Sequence, residues 1–184
     1  GLKFILSPPL RAKEHQEAIW QGIKDGTLQV IATDHCSFDF HGDKQNGKND
    51  FTKCPNGAPG VETRMPIVFS EGVSKGRLSL NEFAAVTSTN PAKIFGMYPK
   101  KGVLAPGSDA DIVLMNPDME VTITKNILHE NVDYTPYEGI QVKGWPVMTM
   151  VRGQAVVENE RLQVPLGFGR YINRKPVKYT ELLK

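Results

Sequence analysis

Asp34 closes an apolar run, Leu28-Gln29-Val30-Ile31-Ala32-Thr33, and is followed at once by His35 and Cys36, with Asp39 close behind. A carboxylate in such company can bind a divalent cation such as Zn²⁺ or hold a proton. Its place matters as much as its type. An apolar run without helical spacing, entered through Asp25-Gly26, predicts a short strand covered on both faces. In parallel α/β barrels the chemistry sits at the C-terminal ends of such strands. Asp34 is therefore the first catalytic candidate; the plainer reading, a cap after a strand, stays open beside it.

Asn56 is the second candidate. It lies in Cys54-Pro55-Asn56-Gly57-Ala58-Pro59-Gly60, a turn-rich loop with a side-chain amide at its centre. An amide offers a donor and an acceptor together and so suits an amide or imide ring. An ordinary Asn-Gly turn is the simpler reading of the residues alone. A rival constellation is a structural zinc site from His35, Cys36, His41 and Cys54. It lacks any C-x₂-C pair, and adjacent His35 and Cys36 point apart if extended. His15 sits on a charge-rich helix and reads as solvated; His129 receives no role.

The elements that position these residues follow from periodicity. Lys3–Leu6 predicts a strand, stopped by Ser7-Pro8-Pro9, and Lys13–Lys24 a helix ended by Gly26. With Leu28–Ala32 they form a βαβ unit. Residues 35–60 make a long polar, Gly-rich connection of the kind that usually carries function, and Phe38, Phe40 and Phe51 predict that it is packed. Helices follow at Glu62–Lys75, at Ser79–Thr87 with a Ser79/Glu82 capping box, and at Pro91–Phe95. After Pro99 the pattern turns to β: strands at Ile112–Met115 and Val121–Thr124, and a hairpin over Val147–Val157 turning at Arg152-Gly153.

Composition narrows the class. The 184 residues are 40% hydrophobic, and 22 basic against 20 acidic residues leave a net charge of +2. There is no basic stripe for nucleic acid and no apolar run long enough to span a membrane. Basic residues thicken toward the C-terminus (Arg170, Arg174, Lys175, Lys178, Lys184), as in a solvated tail. Two cysteines are too few for a disulfide framework and make a Cys36–Cys54 bridge a poor expectation in the cytoplasm, the expected compartment. Residue 1 is not Met and a strand starts almost at once, so the chain is expected to begin within a fold.

Four segments taken together resemble one family. Thr33-Asp34-His35-Cys36, Asp50-Phe51-Thr52-Lys53 with Pro55-Asn56-Gly57, Thr87-Ser88-Thr89-Asn90-Pro91-Ala92-Lys93, and Lys101-Gly102 with Pro106-Gly107-Ser108-Asp109-Ala110-Asp111-Ile112-Val113 are similar to dihydropyrimidinases and D-hydantoinases, cyclic amidases of the amidohydrolase superfamily. The resemblance runs over nearly the whole chain. It implies an α/β fold: residues 1–98 as the last strands and helices of a metal-dependent (β/α)₈ barrel, 99–164 as part of a β-sandwich, and 165–184 as an extended tail.

The resemblance also implies a reaction, the hydrolytic ring opening of dihydropyrimidines or 5-substituted hydantoins to N-carbamoyl amino acids. It implies two divalent metal ions, usually zinc. Asp34 matches the family's last metal ligand, which is also the group that takes the proton from the attacking water. Ser7 and Asn56 match residues that hold the substrate ring, Ser7 largely through its backbone. The family's His-x-His pair, carboxylated lysine and two later histidines have no counterpart here and are expected upstream of Gly1. A homotetramer is implied too, with Phe168, Tyr171 and Ile172 of the tail expected on a neighbouring subunit. The alternative is a non-catalytic collapsin-response-mediator-like assembly protein, a group that usually lacks both Asp34 and Asn56.

Overall fold

The computed structural model describes residues 1–177, which divide into a helical part, a long polar loop and an antiparallel sheet. The last seven residues of the tail, with Lys178 and Lys184, lie outside the described residues. Helix α1 (His15–Lys24) buries Ile23 and half-buries Trp20. Gly26 ends it at φ 79, a left-handed conformation that costs glycine no Cβ clash.

Helix α2 (Arg64–Val68) holds Pro66 in its first turns, where a missing N–H costs little, and runs on through Phe69–Ser74 in wider, π-helical turns. Helix α3 (Leu80–Ala84) begins with the expected capping box. The Glu82 amide donates to Ser79 Oγ at 3.2 Å, and the Ser79 amide donates to Glu82 Oε2 at 2.7 Å. The break expected between this helix and the next is absent. Wide turns over Ala85–Thr89 lead straight into α4 (Asn90–Ile94), whose first turn holds Pro91, a residue with no N–H to lose.

Strands β1 (Ile112–Thr122), β2 (Gln141–Val151), β3 (Gln154–Glu158) and β4 (Arg161–Leu162) form one sheet in that order, every pair antiparallel. The two strands expected at 112–115 and 121–124 are one strand. Its register slips between Leu114 and Met115 and again between Asn116 and Glu120, so Pro117 sits in a bulge, where it forfeits no ladder bond. The hairpin turns where expected. Arg152 and Gly153 both have positive φ, 52 and 78, as a tight two-residue hairpin turn requires.

Three apolar clusters hold these parts together. Ile23, Leu78 and Val86 pack beneath α1, and Val68, Phe69 and Phe83 lie between the helices, with the two phenyl rings edge to face at 5.4 Å. Ile123, Leu128, Val142 and Trp145 form the core of the sheet region. Met115 of β1 packs on the second cluster and ties sheet to helices.

Two expected strands are not strands. Residues Leu2–Phe4 form a 3₁₀ turn, and Leu28–Ala32 has no ladder partner among the described residues. The βαβ unit is thus not closed by pairing, and Leu28 is 41% exposed rather than covered on both faces. An extended chain becomes a strand only when another strand accepts its amides. The described part of the tail reaches back to the hairpin turn. Phe168 has a partner in its own chain, since Arg152 lies over its ring at 4.5 Å and donates to its carbonyl at 3.0 Å. Tyr171 is 87% exposed. Among the described residues no helix is long and apolar enough to cross a membrane.

Candidate active site

Asp34 stands at the end of an apolar segment held, in place of a ladder, by two side-chain bonds and one main-chain bond. Asn90 Nδ2 donates to Gln29 O at 2.9 Å, Ile31 N donates to Val86 O at 3.1 Å, and Arg64 donates to Ile31 O at 2.8 Å. Ile31 packs into both helical clusters. The chain then turns sharply: Asp34 has φ 47, a left-handed conformation uncommon outside glycine and best tolerated by Asp and Asn. Non-glycine residues held there cluster at functional positions. The Asp34 carboxylate is exposed and accepts no hydrogen bond among the described residues, so both oxygens keep their lone pairs for an outside partner.

The segment after Asp34 meets the loop that carries Asn56. The Cys36 amide donates to Ala58 O at 3.2 Å, and Gly57, at φ 145, lies so close that a Cβ there would collide with the Cys36 carbonyl oxygen. The same loop meets the segment that carries Ser7, because the Gly57 amide donates to Ile5 O at 3.2 Å. Ser7 and Asn56 are exposed and line one cavity of about 370 Å³ together with Phe4, Pro9 and Phe51. All three candidate residues therefore lie on segments that touch. Asp50 forms the local turn before this loop, accepting from the Thr52 amide at 3.1 Å and its hydroxyl at 2.6 Å; these bonds hold its carboxyl below the usual carboxylate range.

Lys44 joins two of these segments, and nothing in its sequence surroundings marks it. Its side chain is fully buried, and Nζ donates to Ile5 O at 2.9 Å, Pro55 O at 2.8 Å and Gly57 O at 2.7 Å. Burial pushes its ammonium below the ordinary lysine value. Asp133 fixes the other flank. Its carboxylate accepts the Phe40 amide at 2.5 Å and the His41 amide at 2.8 Å. Desolvation opposes ionisation of Asp133, but the amide bonds from His41 and Phe40 prevail and keep its carboxyl below the ordinary range. Phe40 and Phe38 are half-buried as expected of a packed loop, whereas Phe51 is 71% exposed.

The zinc quartet is not assembled. Cys36 is exposed, Cys54 is buried and both are free thiols; among the described residues no three His, Cys, Asp or Glu side chains gather as a metal site. His35 is committed elsewhere, its Nδ1 accepting the Gly60 amide at 3.1 Å and the Val61 amide at 3.2 Å. That nitrogen therefore carries a lone pair, and the 3.8 Å approach of Glu130 Oε1 to it is not an ion pair. His15 is exposed, as expected. His129 has a partner after all: its Nδ1 is 2.7 Å from Glu62 Oε1, and its amide donates to Glu62 Oε2 at 2.7 Å. A mostly apolar cavity of about 620 Å³ between α2 and β2 contains none of the three candidates.

The Asp34 carboxylate fits a divalent ion, both its oxygens being unpaired among the described residues. One carboxylate by itself does not make a metal site.

Comparison with known proteins bears on this geometry. The profile of the amidohydrolase family matches residues 4–156. The chain is 48% identical over 183 residues to a D-hydantoinase of Geobacillus stearothermophilus, covering 100% of this chain and 38% of that protein. It is 48% identical over 176 residues to a D-phenylhydantoinase of Escherichia coli O1:K1 / APEC, with 96% and 38% covered. The crystal structure of dihydropyrimidinase from Brevibacillus agri NCHU1002 superposes with a TM-score of 0.94 at 50% identity, covering 96% of this chain and 38% of that one. The chain thus spans under half the length of the relatives it matches.

Proposed function

From a chain that belongs to the amidohydrolase family, we propose a part of a cyclic amidase that opens dihydropyrimidines or 5-substituted hydantoins to N-carbamoyl amino acids. The observation that carries this reading is the meeting of three segments: the one after Asp34 bonds to the Asn56 loop through Cys36, and that loop bonds to the Ser7 segment through Gly57. Relatives named D-hydantoinase and dihydropyrimidinase support the substrate class. Residues 1–98 then belong to a (β/α)₈ barrel, 99–164 to a β-sandwich and 165–184 to a tail that joins subunits of a homotetramer. Two free thiols suit a cytoplasmic enzyme.

In this reading Asp34 is one ligand of a two-metal centre, with zinc the expected ion. Bound metal ions would polarise the ring carbonyl and acidify the attacking water. Asp34 accepts the proton of that water and returns it to the ring nitrogen as the C–N bond breaks. Its exposed carboxylate, not engaged by any neighbour among the described residues, is free to do both. Asn56 holds the imide edge of the ring, its N–H donating to a ring carbonyl and its C=O accepting from a ring N–H. Ser7 presents backbone groups to the same ring.

The test uses the full polypeptide that carries this chain, assayed on dihydrouracil and on a 5-substituted hydantoin before and after chelation. Ring opening that is lost on chelation and restored by zinc is expected. A metal-loaded enzyme that opens neither ring, or activity indifferent to chelation, overturns the reading.

A further inference from the structure

We propose that Lys44 is a positioning residue for substrate binding: its buried ammonium sets the distance between the segment of Ser7 and the loop of Asn56. The inference rests on the reading of Ser7 and Asn56 as residues that hold the ring.

The geometry is specific to that pair of segments. Two of the three carbonyls that Lys44 holds belong to Pro55 and Gly57, the residues on either side of Asn56, and the third belongs to Ile5, two residues before Ser7. An ammonium has three protons, and each finds one carbonyl. Among the described residues Lys44 makes no ion pair, although its side chain is fully buried. A buried charge without a counter-charge is costly unless every donor is satisfied, so the three carbonyls are required to stay where they are. The Phe38 ring, 5.9 Å from Nζ, adds a weaker electrostatic contact.

Without Lys44 the Asn56 loop would be held weakly. Among the described residues, the main-chain bonds from residues 55–58 to other segments are Gly57 N to Ile5 O and Cys36 N to Ala58 O, each 3.2 Å. Lys44 itself is fixed from behind. It lies within the 3₁₀ turn Asp43–Gly47, its amide donates to Asp39 O at 3.0 Å, and neighbouring Gln45 donates to Phe40 O at 2.8 Å. Lysine suits the role better than arginine, since a compact ammonium with rotatable donors can reach carbonyls from three directions while a planar guanidinium fork cannot.

The experiment compares Lys44→Met, Lys44→Gln and Asn56→Ala, singly and as Lys44→Met/Asn56→Ala, in the metal-loaded full polypeptide with a 5-substituted hydantoin. Lys44→Met should fold, keep its metal content and raise KM by about tenfold with little change in kcat, the loss expected of one substrate hydrogen bond. Lys44→Gln, which can still donate to two carbonyls, should lie between it and the parent. In the Asn56→Ala background the effect of Lys44→Met on KM should shrink markedly, because the two residues act as one unit. An unchanged KM in Lys44→Met overturns the proposal, as do strictly additive effects in the double variant. Failure of both Lys44 variants to fold assigns Lys44 to the fold and also overturns it. A parent enzyme that opens no cyclic amide overturns the functional reading first, and a hydantoin-active parent with a normal Lys44→Met overturns Lys44 alone.

Discussion

The loop of residues 35–60 and the hairpin of β2 and β3 are held by opposite means. The hairpin is a main-chain structure. Its turn residues, Arg152 and Gly153, take the positive φ values that join two antiparallel strands, and the ladder follows from Val151 opposite Gln154 outward. The loop has no ladder. Side chains that reach backbone groups hold it: Lys44 on one flank, Asp133 on the other and His35 at its junction with Gly60 and Val61. The hairpin spreads its stability over many equivalent bonds, each worth roughly 0.5–1.5 kcal/mol net. The loop concentrates its shape in a few groups, so single changes there should alter geometry and function more than global stability.

Mutations can separate the two regions. The largest effect is expected from Asp34→Asn. Turnover should fall by about 10²–10⁴ through loss of the proton acceptor, while the melting temperature of the metal-free polypeptide stays put, because the Asp34 carboxylate holds nothing else in the described residues. Steady-state kinetics on the full, metal-loaded polypeptide and thermal melts of its metal-free form check both halves, and near-normal turnover would remove Asp34 from the chemistry.

Trp145→Ala should do the reverse. Trp145 is 7% exposed within the core of the sheet region, and truncating a buried aromatic there should cost about 3–5 kcal/mol of stability. The kcat/KM of the protein that remains folded should be unchanged. A denaturant titration beside an activity assay tests this, and a large catalytic defect in fully folded Trp145→Ala would show that the regions are not separable.

Asn56→Ala comes next, with kcat/KM lowered by about tenfold through the loss of a ring-holding hydrogen bond. Asp133→Ala is expected to cost about 1 kcal/mol, since the Phe40 and His41 amides it releases are exposed enough to find water. Its signature is local: amide exchange should quicken across residues 35–60 and stay unchanged in the β1–β3 ladder. Uniform acceleration would mean the loop is not an independent unit.

The smallest effect is pH-dependent. Glu62, through its hydrogen bond and its charge, raises the His129 pKa above the ordinary 6.5. A group whose folded pKa is raised stabilises fully below its unfolded pKa and loses that contribution as pH climbs through the folded value. The His129 side chain is 62% exposed, so solvent screening keeps the pair below about 1 kcal/mol. Stability measured from pH 6 upward, a range set by the ordinary histidine pKa, should show this decline in the parent protein and not in His129→Gln; identical profiles would leave the pair without a role.

What the sequence determined by itself is what acts over short range. The Ser79/Glu82 capping box joins residues three apart, and the hairpin turn depends on two adjacent residues; both stand where periodicity and turn chemistry put them. The terminal carboxylate of the apolar run was legible in the same way, as were the segments that carry the family resemblance. Tertiary structure decided what acts at a distance. Leu28–Ala32 has the composition of a buried strand, but its bonds go to Val86, Asn90 and Arg64 rather than to a neighbouring strand. His35, adjacent to Asp34 and a metal-ligand candidate by type, spends its lone pair on amides at positions 60 and 61. Lys44 was one polar residue among many in its loop, because its partners lie 11, 13 and 39 positions away. A side chain's reach across the fold leaves no periodic trace; only the folded chain brings the three carbonyls to one ammonium.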